Sequence, residues 1–210
     1  MKNKIAIIAN GTIKDYDFHK KLLKDFDIII CADGGANSAK ELDIIPDYII
    51  GDFDSLKIPV FNRFKELDKT KFIKDTNEDK TDLELAISLA ETLSPSEIKI
   101  FGAIGDRVDH TLANIMCLDK IKSDIKAEII DYKNIIQLVK GPIEINDEKD
   151  DVISVIPITD VRDLNYNGLK WNVKELDTKT GWFGISNKIT GKKARISFSK
   201  GKVLIIRVRI

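Results

Sequence analysis

Over roughly the first 130 residues, short β-branched runs alternate with amphipathic stretches of helical period, and this alternation restricts the fold more than any other feature of the chain. It predicts an α/β unit built on a largely parallel sheet. Strands are expected at 4–9, 28–32, 48–50, 98–101 and 127–130. Helices are expected near 18–26, 36–42, 58–67, 82–93 and 111–121.

After Asp131 the pattern changes to short β-rich runs with turn signals and no long helix. Strands are expected at 135–139, 152–156, 161–164, 169–176, 194–198 and 203–208, the make-up of a small antiparallel β-sandwich or barrel. The fold class is therefore α/β plus all-β, with an α/β unit over 1–131 and a β-sandwich over 132–210. Gly141-Pro142 and the charged run 146–151 read as solvated turns.

Composition removes several function classes. Lys plus Arg and Asp plus Glu both number 34, so no net positive field exists to hold a nucleic-acid backbone. The apolar run from Ile5 to Ala9 is too short for a signal-peptide core, and no stretch approaches the roughly 20 apolar residues of a membrane span. A soluble, cytoplasmic protein with no nucleic-acid or membrane partner is expected. At 43% hydrophobic residues the chain can build a core unaided. Cys31 and Cys117 have neither metal-ligand spacing nor disulfide density and read as reduced core residues.

Ligands of open α/β sheets bind beyond the carboxyl ends of the strands. Three such segments are strongly polar: Asp33-Gly34-Gly35-Ala36-Asn37, Gly51-Asp52-Phe53-Asp54-Ser55, and the stretch from Gly102 to His110. Gly34 and Gly35 would let the backbone approach a phosphate at a helix start, or would simply make a tight turn. Asp52 and Asp54, two apart in an extended loop, can share a hard cation, for which Mg²⁺ is better suited than zinc. Alternatively, Asp54 or Ser55 caps the helix after Lys57. Thr81 and Glu84 have capping-box spacing, which leaves Asp82 as either a first-turn charge or a third metal carboxylate. A cluster of Asp33, Asp52, Asp54 and Asp82 would be self-repelling without a cation. Arg107 could clamp phosphate oxygens or form a surface salt bridge. His110 and Asp109 are alternatives for orienting or deprotonating a hydroxyl, with Asp109 preferred. Neither a Walker P-loop nor a dinucleotide fingerprint is present.

DGGAN at 33–37, GDFDS at 51–55, KTDLELAI at 80–87 and DRVDHTLAN at 106–114, followed by GLKW at 168–171 and GWFGISN at 181–187, resemble the thiamine pyrophosphokinase family along nearly the whole chain. The resemblance implies a Rossmann-like catalytic domain, a thiamine-binding β domain, and a homodimer with active sites at the subunit interface. It implies transfer of diphosphate from ATP to the hydroxyl of thiamine, with Asp52, Asp54 and Asp82 holding Mg²⁺. Asp33, Gly34, Gly35, Asn37, Arg107, His110 and Asn114 would meet the nucleotide, Arg107 and Asp109 would serve the chemistry, and Ser186 and Asn187 would bind thiamine. Trp171 and Trp182 could each offer an aromatic face to the cationic heterocycle, or belong to the sandwich core and rim. Two positions depart from the family pattern: Asp106, where many members carry a second glycine, and Glu78, where some carry glutamine. Transfer to a different heterocyclic alcohol, and a sensor that binds without turnover, are the rival readings.

Overall fold

A computed structural model describes residues 3–77, 79–146 and 151–209. Glu78 and the centre of the charged run after Asn146 fall outside the described residues. The chain divides into two units, Met1–Tyr132 and Lys133–Ile210.

In the first unit the order is β1 (Lys4–Ile8), α1 (Tyr16–Leu23), β2 (Ile28–Ala32), α2 (Gly35–Glu41), β3 (Tyr48–Gly51), α3 (Ile58–Glu66), β4 (Lys71–Lys74), α4 (Asp82–Thr92), β5 (Glu97–Phe101), α5 (Val108–Met116) and β6 (Lys126–Ile130). The strands lie side by side as β6-β5-β1-β2-β3-β4, and every pairing among them is parallel. The near-continuous Ile-rich runs follow from that arrangement. A parallel sheet covered on both faces offers its central strands no wet side, and Ile5, Ile7, Ile30, Ile98 and Ile100 are all completely buried. The chain moves outward from β1 to β4 and then returns to β5 on the other side of β1. The reversal opens a crevice at the carboxyl end of β1.

The expected strands and helices of this unit form with shifts of a few residues at their ends, with two larger corrections. β4 was not expected: Lys-Phe-Ile-Lys has charged ends and only two apolar residues, which suits a half-covered edge strand and gives little period-two signal. The helix expected at 111–121 begins instead at Val108 and ends at Met116, and a separate 3-10 turn, Cys117–Lys120, buries Cys117 and Leu118. Both cysteines are free and buried.

The second unit contains β7 (Asn134–Val139), β8 (Ile143–Asn146), β9 (Val152–Pro157), β10 (Val161–Asn167), β11 (Leu176–Thr178), β12 (Gly184–Lys188), β13 (Lys193–Ser197) and β14 (Val203–Val208). Its antiparallel strands form one layer in the order β12-β9-β14-β7 and another in the order β11-β10-β13-β8. A core that includes Ile153, Val155, Ile205, Leu164, Tyr166 and Ile196 joins the two layers, as in a sandwich. The strand expected at 169–176 does not form. Gly168 has φ 82°, Leu169 makes only an isolated bridge to Ile189, and the Leu169 N–H donates to the Asn172 side chain, so the chain turns before the ladder resumes at Leu176. β8 and β12 were not expected. β12 carries a register shift between Gly184 and Asn187 and has Ser186 at φ 58°, features that break the alternation a strand search relies on.

Candidate functional site

The carboxyl ends of β1, β3, β4 and β5 surround a cavity of about 860 Å³ in the first unit. Its wall includes Asn10, Gly11 and Thr12 after β1, Asp52 and Ser55 after β3, Asp75, Asn77, Lys80 and Asp82 after β4, and Arg107, His110 and Asn114 around the start of α5. The loops after β1 and β5 are tied together, with Gly11 N–H donating to Gly102 O at 2.6 Å and Thr12 N–H to Ile104 O at 3.0 Å.

The acidic group forms because of the turn after β3. Phe53, between Asp52 and Asp54, adopts φ 71° and directs its ring into a cluster with Phe61 and Phe72 at centroid distances of 6.2 and 6.0 Å. Both neighbouring carboxylates are left exposed. One oxygen each from Asp33, Asp52 and Asp54 lies within 4.8 Å of the others. Asp82 approaches from the first turn of α4, where Thr81 and Glu84 form the expected capping box. A Cβ at Gly51 would sit 2.7 Å from Asp82 Oδ1 and 2.9 Å from Asp33 Cβ, so glycine is required where these two carboxyl groups flank the end of β3.

The electrostatics follow from this packing. Burial and the charges of Asp33, Asp52 and Asp54 push Asp82 up to about 6. Burial also raises Asp33, against the opposing effect of hydrogen bonds from Ser55 and Gly34. Asp33 Oδ2 accepts from Ser55 N–H at 3.0 Å, whereas the buried Oδ1 has no partner. An all-carboxylate set with one oxygen unsatisfied fits a hard divalent cation such as Mg²⁺.

Other expected residues have more local duties. The cap proposed for α3 from Asp54 or Ser55 is absent: Asp54 accepts from Ser55 Oγ, and the Lys57 N-cap makes no side-chain cap. Asn37 takes that place, accepting from Lys57 N–H at 3.1 Å while its Nδ2 donates to Ser55 O at 2.9 Å. It therefore pins the acidic loop from the side. A Cβ at Gly35 would meet Ile8 O at 2.0 Å and one at Gly34 would meet the Asn10 side chain at 2.4 Å, so both glycines serve the close approach of α2 to β1. Arg107 donates through Nε and Nη2 to the two oxygens of Asp109 at 2.9 and 2.6 Å. That bidentate contact holds the Asp109 carboxyl well below the usual range, which makes it a weak base in this geometry. His110 borders the cavity, whereas Asp109 does not. Asn114 donates to Ala103 O at 2.8 Å. The loops after β1 and β4 escaped the sequence reading. Their signal, polar residues directly after a strand, was available for Asn10 to Thr12 and hidden for Asp75 to Lys80 by the unrecognised β4.

In the second unit, Asn187 is buried and clamps the Trp171 backbone, accepting from its N–H at 3.1 Å and donating to its carbonyl at 2.6 Å. Its Oδ1 also accepts from Lys188 N–H at 2.9 Å. Ser186 is exposed, and its N–H donates to Ser154 Oγ at 3.1 Å. Trp171 is 55% exposed, with Lys170 Nζ 4.7 Å from its ring centroid, whereas Trp182 packs against the sandwich core. Phe183 and Ile185, within the 181–187 motif, are also exposed.

Two family models match the chain: thiamin pyrophosphokinase, catalytic domain, over residues 19–129, and thiamin pyrophosphokinase, vitamin B1 binding domain, over residues 142–203. The thiamine pyrophosphokinase of Bacillus subtilis is 35% identical over 184 residues, covering 85% of this chain and 86% of that protein. Thiamine pyrophosphokinase 2 of Oryza sativa is 27% identical over 209 residues, covering 86% and 78%. Among solved structures, the Bacillus subtilis thiamine pyrophosphokinase superposes with a TM-score of 0.87 at 31% identity, covering 98% of each chain. The Candida albicans enzyme superposes with a TM-score of 0.85 at 25% identity, covering 99% of this chain and 90% of that one. With both family models matched in order, and relatives similar over nearly the whole chain, this protein belongs to the thiamine pyrophosphokinase family.

Proposed function

We propose that the chain performs its family's transfer of diphosphate from ATP to the thiamine hydroxyl at the acidic cavity of the first unit, with Asp52, Asp54 and Asp82 as the Mg²⁺ side. The observation that carries this assignment is the grouping of Asp33, Asp52 and Asp54, one oxygen each within 4.8 Å, with Asp82 flanking the same strand end, Asp33 Oδ1 unsatisfied and Asp82 displaced to about 6. Bound Mg²⁺ would offset their repulsion and neutralise phosphate oxygens.

The thiamine hydroxyl oxygen forms a bond to the β-phosphorus. The bond from that phosphorus to the α,β-bridging oxygen breaks, and AMP leaves with the electron pair. The hydroxyl proton goes to a base at the rim, for which His110 is better placed than the ion-paired Asp109. Arg107 faces the shifting charge once substrate competes with Asp109 for its guanidinium. Asn37 and Phe53 keep the carboxylates in register. Little covalent help is required from the protein, so positioning and charge do most of the work.

The exposed Trp171 face and Ser186 supply the thiamine side, with Asn187 holding the Trp171 backbone in place, in keeping with the match of that region to a vitamin B1 binding model. A homodimer with active sites at the subunit interface completes the proposal. In its favour, α5 has no buried residue and presents Val108, Leu112 and Met116, 79%, 60% and 41% exposed, at helical spacing next to the cavity. Among the described residues no helix is long and apolar enough to cross a membrane, and a cytoplasmic protein without nucleic-acid partners fits the zero net charge.

Phosphorus NMR of the protein with ATP, Mg²⁺ and thiamine tests the reading. Thiamine diphosphate with equimolar AMP is the expected result; ADP in place of AMP, or no product, would overturn it.

A further inference from the structure

The cavity must hold a polyanionic substrate although its own wall is acidic. Among the described residues, two lysine or arginine side chains border it, Lys80 and Arg107. Arg107 is closed onto Asp109 by two hydrogen bonds. Lys80 has no carboxylate partner among the described residues. Its backbone is nonetheless fixed from both sides. The Lys80 N–H donates to Asn77 O at 3.2 Å, and the next residue is the Thr81 N-cap, locked reciprocally to Glu84. Two residues further on, Asp82 borders the same cavity.

We propose that Lys80 is a substrate-contacting residue of this reaction, holding the non-bridging oxygens of the diphosphate portion of ATP that is transferred. The proposal rests on the functional reading above. An ammonium is a compact charge with three donors on a flexible stem, so it can follow phosphate oxygens during transfer in a way a guanidinium already forked onto a carboxylate cannot. Its place immediately before the capped start of α4 puts this charge beside the carboxylates on the Mg²⁺ side. An otherwise electronegative wall thereby gains a positive site where the diphosphate must lie. In the sequence alone, a lysine in a charged loop before a helix resembles any solvated lysine.

Calorimetric titration of the whole protein with ATP and with AMP, both in the presence of Mg²⁺, separates the possibilities. Lys80→Ala should weaken ATP binding about 10- to 100-fold while leaving AMP binding and the melting temperature close to wild type. Lys80→Arg should restore most of the loss. In steady state Lys80→Ala should lower kcat/KM for ATP and leave KM for thiamine unchanged. Unchanged ATP affinity would overturn the proposal. So would an equal loss for AMP, which would indicate a general field in place of a contact with the diphosphate. Wild-type protein that binds ATP but forms no thiamine diphosphate would instead sink the functional reading, and the ATP and AMP titrations would still decide the role of Lys80.

Discussion

The two units treat their motif side chains in opposite ways. At the carboxyl edge of the first, Asp33 keeps a buried oxygen unpaired and Asp82 is raised to about 6 by burial and neighbouring carboxylates, so the folded chain holds charge it cannot satisfy internally. In the second, Asn187 directs both ends of its amide to backbone, and Trp182 packs against the core. Strain left unrelieved points to a ligand, whereas a side chain whose bonds are all made locally points to a scaffold. Residues of equally recognisable motifs therefore differ in kind, and mutation should separate them.

The largest effect should come from the acidic edge. Asp54→Asn is expected to lower turnover at least about 100-fold and to raise the Mg²⁺ requirement, measured by AMP release. Comparable turnover with unchanged magnesium dependence would break the contrast at its centre. Asn37→Ala, which removes both of its contacts to the acidic loop, should raise the Mg²⁺ concentration needed for half-maximal turnover about 10- to 100-fold and leave KM for thiamine near wild type.

A scaffold residue should behave differently. Asn187→Ala is expected to destabilise the protein by about 1–3 kcal/mol in denaturant titrations, because part-buried backbone groups of Trp171 lose their partners and the buried Asn187 side chain is removed. A large loss of thiamine affinity at full stability would instead place Asn187 among the ligand contacts.

Protonation sharpens the comparison further. Asp82 sits at about 6 in the folded chain against an ordinary 3.8, so between those values the folded state binds a proton that the unfolded state lacks. The group therefore costs stability above about pH 6, and the cost fades as pH falls towards about 4. In chelator at about pH 7, Asp82→Asn should melt no lower than wild type, with the difference closing towards about pH 4. A variant that melts lower would mean that Asp82 makes a stabilising contact. The smallest effect is expected at Trp171, whose exposed ring should be removable by Trp171→Ala at a cost within about 0.5 kcal/mol of stability.

Much of the first unit was legible because a buried parallel strand must be apolar on both faces, and Ile5 to Ile8 or Ile28 to Ile30 admit few other readings. β4 was not, since an edge strand such as Lys-Phe-Ile-Lys needs little apolar surface. β12 escaped for a related reason, as Gly184 and the bulge at Ser186 erase the alternation. The carboxylates could be named from their position after strands, but the duty of Asn37 could not. Its partners, Ser55 and Lys57, are 18 and 20 residues away in the chain.

By itself the sequence determined which strands are buried, where the α/β pattern gives way to β structure, and which acidic segments follow the strands, because each depends on local period and residue chemistry. The tertiary structure alone decided which of those residues retain unsatisfied charge. That outcome depends on distances between separate segments: Asp82 beside Gly51, Asn187 closed onto Trp171, and Lys80 on the cavity wall without a carboxylate partner among the described residues. Hydrogen bonding and charge repulsion act over a few ångströms of space, and spacing along the chain does not encode which distant segments come that close.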